Sequence, residues 1–333
     1  MSRLIIVSNR VAPISEGGPA AGGLAVGVYD AFKETDGMWF GWSGDVVTEP
    51  PEGITLEERG RVTFATIGLA QRDYDRITAA SRTPRCGRRF TIGRIGSSST
   101  AMNSDGYCRV NRWLAKQLAP LLKAGDVIWV QDYHLIPFAQ ALRDEGVTNR
   151  IGFFLHIPFP AAQVLLSVPH HRVLVEALYS FDLLGFQTAP DLRAFCDYIE
   201  TEANGLIVPI AGQPNVVSAF GKTLRAAAYP IGVYPDEIAS LAKDGESRRE
   251  VQTVKTTLRD RKLIMSVDRL DYSKGLVECF RAFEKLLEHQ PAQHNNVSFV
   301  QIAPPTRADM DTYRDIRLQL EACERRSESD ARW

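Results

Sequence analysis

The 333-residue chain is short of the features that mark several protein classes. It has only five cysteines, scattered and without metal-ligand spacing, so neither a disulfide framework nor a zinc site is expected. Free thiols suit a reducing cytoplasm. No run approaches the roughly 20 apolar residues of a membrane span, and the opening MSRLIIVSNR has no apolar stretch long enough for a signal peptide. Charge of one sign is also missing: the net formal charge is −1, which excludes a polyanion-binding field and leaves any basic site to be local. No internal repeat of solenoid period is visible. Hydrophobic residues make up 44% of the chain, enough for globular cores, and the length suggests two domains.

What is present is an alternation of strand-like and helix-like segments. Strands are expected at 4–8, 39–44, 61–65, 126–131, 150–156, 183–187, 229–233, 262–267 and 297–302. Helical periodicity is expected at 24–32, 109–122, 135–143, 173–180, 191–200, 235–242, 247–259, 277–288 and 309–321. Such alternation predicts parallel sheets with helices on both faces. Several strands end in polar or cationic residues: Asn9-Arg10, Asp132-Tyr133-His134, His156, Arg269, and the loop before Arg307. Open α/β sheets bind ligands at the carboxyl ends of their strands, so five such ends in two sheets predict a cleft between two doubly wound domains.

Ser266–Leu276, SVDRLDYSKGL, lies between a short apolar strand and an amphipathic helix. Arg269, Lys274 and Gly275 at a strand-loop-helix junction can hold phosphate, because the helix N-terminus presents free N–H groups and partial positive charge. A solvated surface loop is the plain alternative.

The segments VSNR, Gly22-Gly23 before LAVG, WFGWSG, QDYHL, GFFLHIPFP, DLLGFQT, YPIG, SVDRLDYSKGL and QIAPPTR occur in one order. Together they closely resemble the trehalose-6-phosphate synthases of glycosyltransferase family 20. The resemblance covers most of 1–76 and 105–320. It implies a GT-B fold, with a Rossmann-like acceptor domain over 1–230 and a nucleotide-sugar domain over 231–333. It implies retaining transfer of glucose from UDP-glucose to glucose 6-phosphate, giving α,α-trehalose 6-phosphate and UDP. No metal or cofactor is implied, nor any nucleic-acid or membrane partner, and self-association is left open.

The resemblance also implies roles. Arg10 and Arg307 would bind the acceptor phosphate, and Asp132 an acceptor hydroxyl. Gly22 and Gly23 would let backbone N–H groups approach the donor, and His156 would bond a hydroxyl of the transferred glucose. Arg269 and Lys274 would hold the diphosphate and stabilise its growing charge as the glycosidic bond breaks. The ordinary alternatives are a surface salt bridge for Arg10, a flexible turn for the glycines and a structural role for His156. The family pattern has His before the Asp, where this chain has Gln131.

Two stretches depart from the pattern. Residues 77–104 lack the family's tyrosine pair and its LWP segment. One synonymous back-translation of Ile77–Gly93, read in a shifted frame, encodes YYRGFSNAALWPAFHYR, so a local frame slip is expected there. After Glu321 the chain reads ACERRSESDARW, without the DGMNLVAKE-like segment expected to hold donor sugar and ribose. The second domain is thus expected to be incomplete, with strands 262–267 and 297–302 exposing apolar surface or an unpaired edge. A non-catalytic remnant, or a module that binds sugar phosphate, is the alternative function.

Overall fold

The computed structural model describes residues 3–11, 27–28, 31–32, 35–49, 53–74, 101–258, 261–271, 274–304 and 317–321. The chain forms two compact units, Met1–Gly232 and Val233–Trp333.

The first unit is built on a ten-stranded sheet. Its strands are β1 (Leu4–Arg10), β2 (Gly37–Val47), β3 (Thr55–Arg59), β4 (Val62–Ala70), β5 (Val127–Gln131), β6 (Arg150–Leu155), β7 (Leu183–Phe186), β8 (Leu206–Ile210), β9 (Gln213–Ala219) and β10 (Lys222–Ala228). They lie in the order β3-β4-β2-β1-β5-β6-β7-β10-β9-β8. From β4 to β10 every neighbouring pair is parallel, and antiparallel strands extend both ends. Strand order reverses between β1 and β5, the topological switch point of the sheet.

β1 shows why the sheet is covered on both faces. Ile5, Ile6 and Val7 are all fully buried. Successive side chains point to opposite faces: Ile5 and Val7 join one core cluster, while Ile6 joins another with Val28, Phe32, Trp39 and Phe64. The larger cluster also takes residues from α1 (Ala101–Leu118), α2 (Phe138–Asp144), α3 (Ala162–Leu165), α4 (His171–Leu178) and α5 (Ala189–Glu202). Helix α5 starts in a capping box: Thr188 Oγ1 accepts from the Asp191 N–H, and Asp191 accepts from the Thr188 N–H. At the other edge of the sheet, Arg3 makes two bonds to the Asp126 carboxylate, at 2.7 and 3.1 Å, which tie the start of β1 to that of β5.

The second unit holds α6 (Pro235–Gly245), α7 (Arg249–Leu258), β11 (Lys262–Val267), α8 (Leu276–His289) and β12 (Val297–Ile302). β11 and β12 form a two-stranded parallel sheet. Leu263, Ile264, Met265 and Val267 of β11 are exposed, as the apolar strand of an incomplete layer would be.

Several segments differ from expectation, and β3 and α3 fall where no element was expected. Tyr229–Val233 is not a strand; it is an exposed connection of no regular structure. Sheet formation instead falls just before it, in the β8-β9-β10 meander, which the sequence pattern did not suggest. The β9–β10 turn is Phe220-Gly221, with φ of 52° and 71°. Both central residues at positive φ define the hairpin turn usually made by Asn-Gly or Asp-Gly. A phenylalanine there hides the turn from sequence reading.

Candidate functional site

Arg10, Asp132 and His156 all stand at the carboxyl edge of the parallel sheet, on the three adjacent strands that flank the switch point. Arg10 ends β1, Asp132 follows β5, and His156 follows β6.

Asp132 is the most constrained of the three. Its backbone, at φ 70° and ψ 165°, occupies a region that is essentially glycine's own. The strain persists because the surroundings fix the residue. Its N–H donates to the Phe154 carbonyl at 2.8 Å, and its Oδ1 accepts from the His156 N–H at 3.3 Å. The following turn is pinned by α1: the Tyr107 hydroxyl donates to the Tyr133 carbonyl, and buried Asn111 donates to the His134 carbonyl at 3.2 Å. Burial pushes the Asp132 carboxyl up to about 6, against the pull of the Tyr133 and His156 N–H groups. At neutral pH it is mostly a carboxylate, a two-oxygen acceptor suited to sugar hydroxyls.

His156 is half-buried, its ring edge-on to Phe154 at 4.7 Å. Burial lowers its pKa, so the ring is neutral at physiological pH. Its Nε2 lies 2.9 Å from Gln131 Oε1.

Arg10 is aimed by its neighbours. A register shift after Ser8 re-aims the end of β1. The Ser8 hydroxyl donates to the Arg10 carbonyl at 2.8 Å and itself accepts from the Trp39 indole N–H. The guanidinium sits over the Trp42 ring, 5.6 Å from its centroid. It also passes so close to Gly44 (φ +101°) that a Cβ there would lie 2.8 Å from Nη2. Among the described residues no carboxylate pairs with Arg10.

In the second unit, Arg269 and Lys274 occupy the β11–α8 loop. The loop is anchored by the Asp268 N–H to the Ile302 carbonyl and the Leu270 N–H to the Pro304 carbonyl, both 3.0 Å. Leu270 and Leu276 are buried together beneath it. Gly275, at φ 65°, caps the start of α8 without a side-chain bond. Lys274 lies 3.4 Å from Asp268, a partly exposed pair, while Arg269 is exposed. This is the expected junction of two cations at the start of a helix. Gly22, Gly23 and Arg307 lie outside the described residues, as do residues 77–100 of the aberrant stretch. Sequence reasoning missed Trp42, Gly44, Tyr107 and Asn111 as supports of the site. Of these, only Trp42 and Gly44 carried a signal, in WFGWSG. Gln131 stood out only as a departure from a pattern.

A parallel α/β sheet with Arg10, Asp132 and His156 gathered at its switch point, in a chain with a second cationic strand-loop-helix junction, defines an α/β protein of the doubly wound class. The family model for glycosyltransferase family 20 matches residues 15–327, and the chain belongs to that family. Trehalose-6-phosphate synthases of Enterobacter sp. strain 638 and Citrobacter koseri are 43% and 45% identical to it over 327 residues. That match takes in 96% of this chain and 66% of each relative, so the chain spans just under two thirds of their length. A solved UDP-forming α,α-trehalose-phosphate synthase from Burkholderia xenovorans, in complex with glucose-6-phosphate, is 67% identical with a TM-score of 0.88. The match covers 97% of this chain and 70% of that one. An E. coli structure bound with UDP-2-fluoro glucose is 40% identical with a TM-score of 0.80, over 97% and 69%. The fold is the α/β fold of these synthases.

Proposed function

We propose that this chain carries the glucosyl-transfer function of its family: glucose passes from UDP-glucose to glucose 6-phosphate with retention at the anomeric carbon. The observation that carries the reading is the cluster at the switch point. A strained, mostly ionised Asp132 and a neutral His156 are fixed to each other on adjacent strands, with Arg10 on the next strand.

Each group has a role that its chemistry suits. Arg10, unpaired among the described residues and backed by Trp42, takes the acceptor phosphate. Asp132 accepts a hydrogen bond from an acceptor hydroxyl. His156 bonds a hydroxyl of the donor glucose. Arg269 and Lys274 bind the diphosphate and stabilise it most as it leaves, when its charge is greatest. Arg307 joins Arg10 on the acceptor phosphate, and Gly22 and Gly23 let backbone N–H groups approach the donor; these three assignments rest on the family resemblance. In the transfer, the bond from the anomeric carbon to the UDP oxygen breaks. The bond to the acceptor oxygen forms on the same face, and the acceptor proton passes to the departing phosphate. A cytoplasmic setting suits both substrates.

The test is product analysis. Purified chain incubated with UDP-glucose and glucose 6-phosphate should yield α,α-trehalose 6-phosphate and UDP in equal amounts. Calorimetric binding of glucose 6-phosphate without any product would replace this reading with that of a sugar-phosphate-binding module.

A further inference from the structure

Gln131 ends β5 with only 1% of its surface exposed, yet it carries a polar amide into the core edge. Its amide nitrogen is buried and has no hydrogen-bond partner among the described residues. An unpaired buried donor costs free energy that an apolar residue of the same size would avoid. Packing alone therefore does not account for glutamine at this position. The other end of the amide does: Oε1 lies 2.9 Å from His156 Nε2.

The amide oxygen can only accept, so the ring nitrogen that faces it carries the proton. In a neutral imidazole the second nitrogen is then an acceptor. The backbone N–H of His156 is fixed to Asp132 Oδ1, and the ring itself packs edge-on against Phe154. Among the described residues, Nδ1 makes no hydrogen bond.

We propose that Gln131 is a positioning residue that fixes His156 as its Nε2–H tautomer and so presents Nδ1 as an acceptor for a hydroxyl of the bound hexose. The opposite tautomer would present an N–H donor to the sugar and favour a different set of substrate oxygens. The role in sugar binding rests on the reading of His156 given under the proposed function; the tautomer does not.

Nitrogen NMR of the ligand-free protein labelled in histidine, at neutral pH, tests this directly, with the His156 signals assigned by their loss in His156→Asn. Wild type should show the Nε2–H form as dominant. Gln131→Glu, which keeps an acceptor against the ring, should retain it. Gln131→Met cannot accept, and its ring should relax to a mixed population. In parallel, kcat/KM for UDP release should fall about tenfold in Gln131→Met, as expected for loss of one orienting hydrogen bond, and recover at least in part in Gln131→Glu. A wild-type ring protonated on Nδ1 overturns the inference. So does a Gln131→Met ring with the wild-type tautomer population, or a Gln131→Glu ring that loses the Nε2–H form. Should Gln131→Met fail to fold, the wild-type and Gln131→Glu spectra still decide. Absence of turnover in wild type would remove the glucosyl-transfer reading and leave the tautomer result standing.

Discussion

Asp132 carries two costs that only a function repays. Its backbone strain is worth about 1–3 kcal/mol. Its carboxyl rises from the ordinary 3.8 to about 6, which corresponds to about 3 kcal/mol against the charged form. Between those two values the folded state binds more protons than the unfolded one, so stability falls as pH rises through that window and the penalty is complete above it. Asp132→Asn removes the charge and keeps an acceptor for the His156 N–H. We expect it to be more stable than wild type at neutral pH, by up to about 3 kcal/mol, with the gain disappearing below about pH 4. Its kcat/KM should fall by about 10–100-fold, as for loss of a charged hydrogen-bond acceptor. Denaturant unfolding at several pH values checks the first expectation, and a variant no more stable than wild type at neutral pH would refute it. Gly44 is the second case at this scale. Alanine there meets both the φ of +101° and the Arg10 guanidinium. Gly44→Ala should raise KM for glucose 6-phosphate several-fold with little change in kcat, since under the proposed function Arg10 takes a phosphate remote from the reacting atoms. Steady-state kinetics with varied acceptor will show whether the effect falls on KM.

At the scale of elements, the alternation of apolar runs and periodic segments made the parallel strands legible. β11 and β12 fall on the expected 262–267 and 297–302. Continuous apolar strands such as Ile5-Ile6-Val7 leave no other reading once both faces are covered. The placement of Arg10, Asp132 and His156 was legible for the same reason: they are polar residues at the ends of apolar strands, while their roles came only from the family resemblance. The β8–β10 meander was not legible, because its turn uses Phe220 where Asn or Asp would signal a hairpin. Phe220 tolerates positive φ there because its ring packs against Tyr179 at 5.3 Å and beneath Arg172 at 5.0 Å. Those contacts are tertiary and cannot be read from local sequence. The pinning of the Asp132 turn by α1 was hidden for a similar reason, since Asn111 and Tyr107 reach it across the fold. Asn111→Ala should strip the His134 carbonyl of its buried donor and cost about 1–3 kcal/mol. A thermal melt should record that as a Tm lower by several degrees, at roughly 2–4 °C per kcal/mol for a unit of this size.

For the whole molecule, the two units differ in how fully they bury their cores. The first has an apolar cluster on each face of its sheet. In the second, Met265 and Val267 of the central strand pair are 57% and 60% exposed. The connection at 229–234 is exposed and has no regular structure, with Val233 at 72%. A fragment of residues 1–232 should therefore fold on its own and melt cooperatively; calorimetry showing no cooperative transition would contradict this. Under the proposed function both units are needed for one activity: Arg10 and Asp132 of the first would serve the acceptor, and Arg269 and Lys274 of the second the diphosphate. The most direct test of that account is the rate of UDP release from UDP-glucose by the intact chain, with and without glucose 6-phosphate. The account predicts release that depends on the acceptor and drops sharply in Arg10→Ala and in Arg269→Ala alike. Release that is absent, or indifferent to the acceptor and to both substitutions, would contradict it.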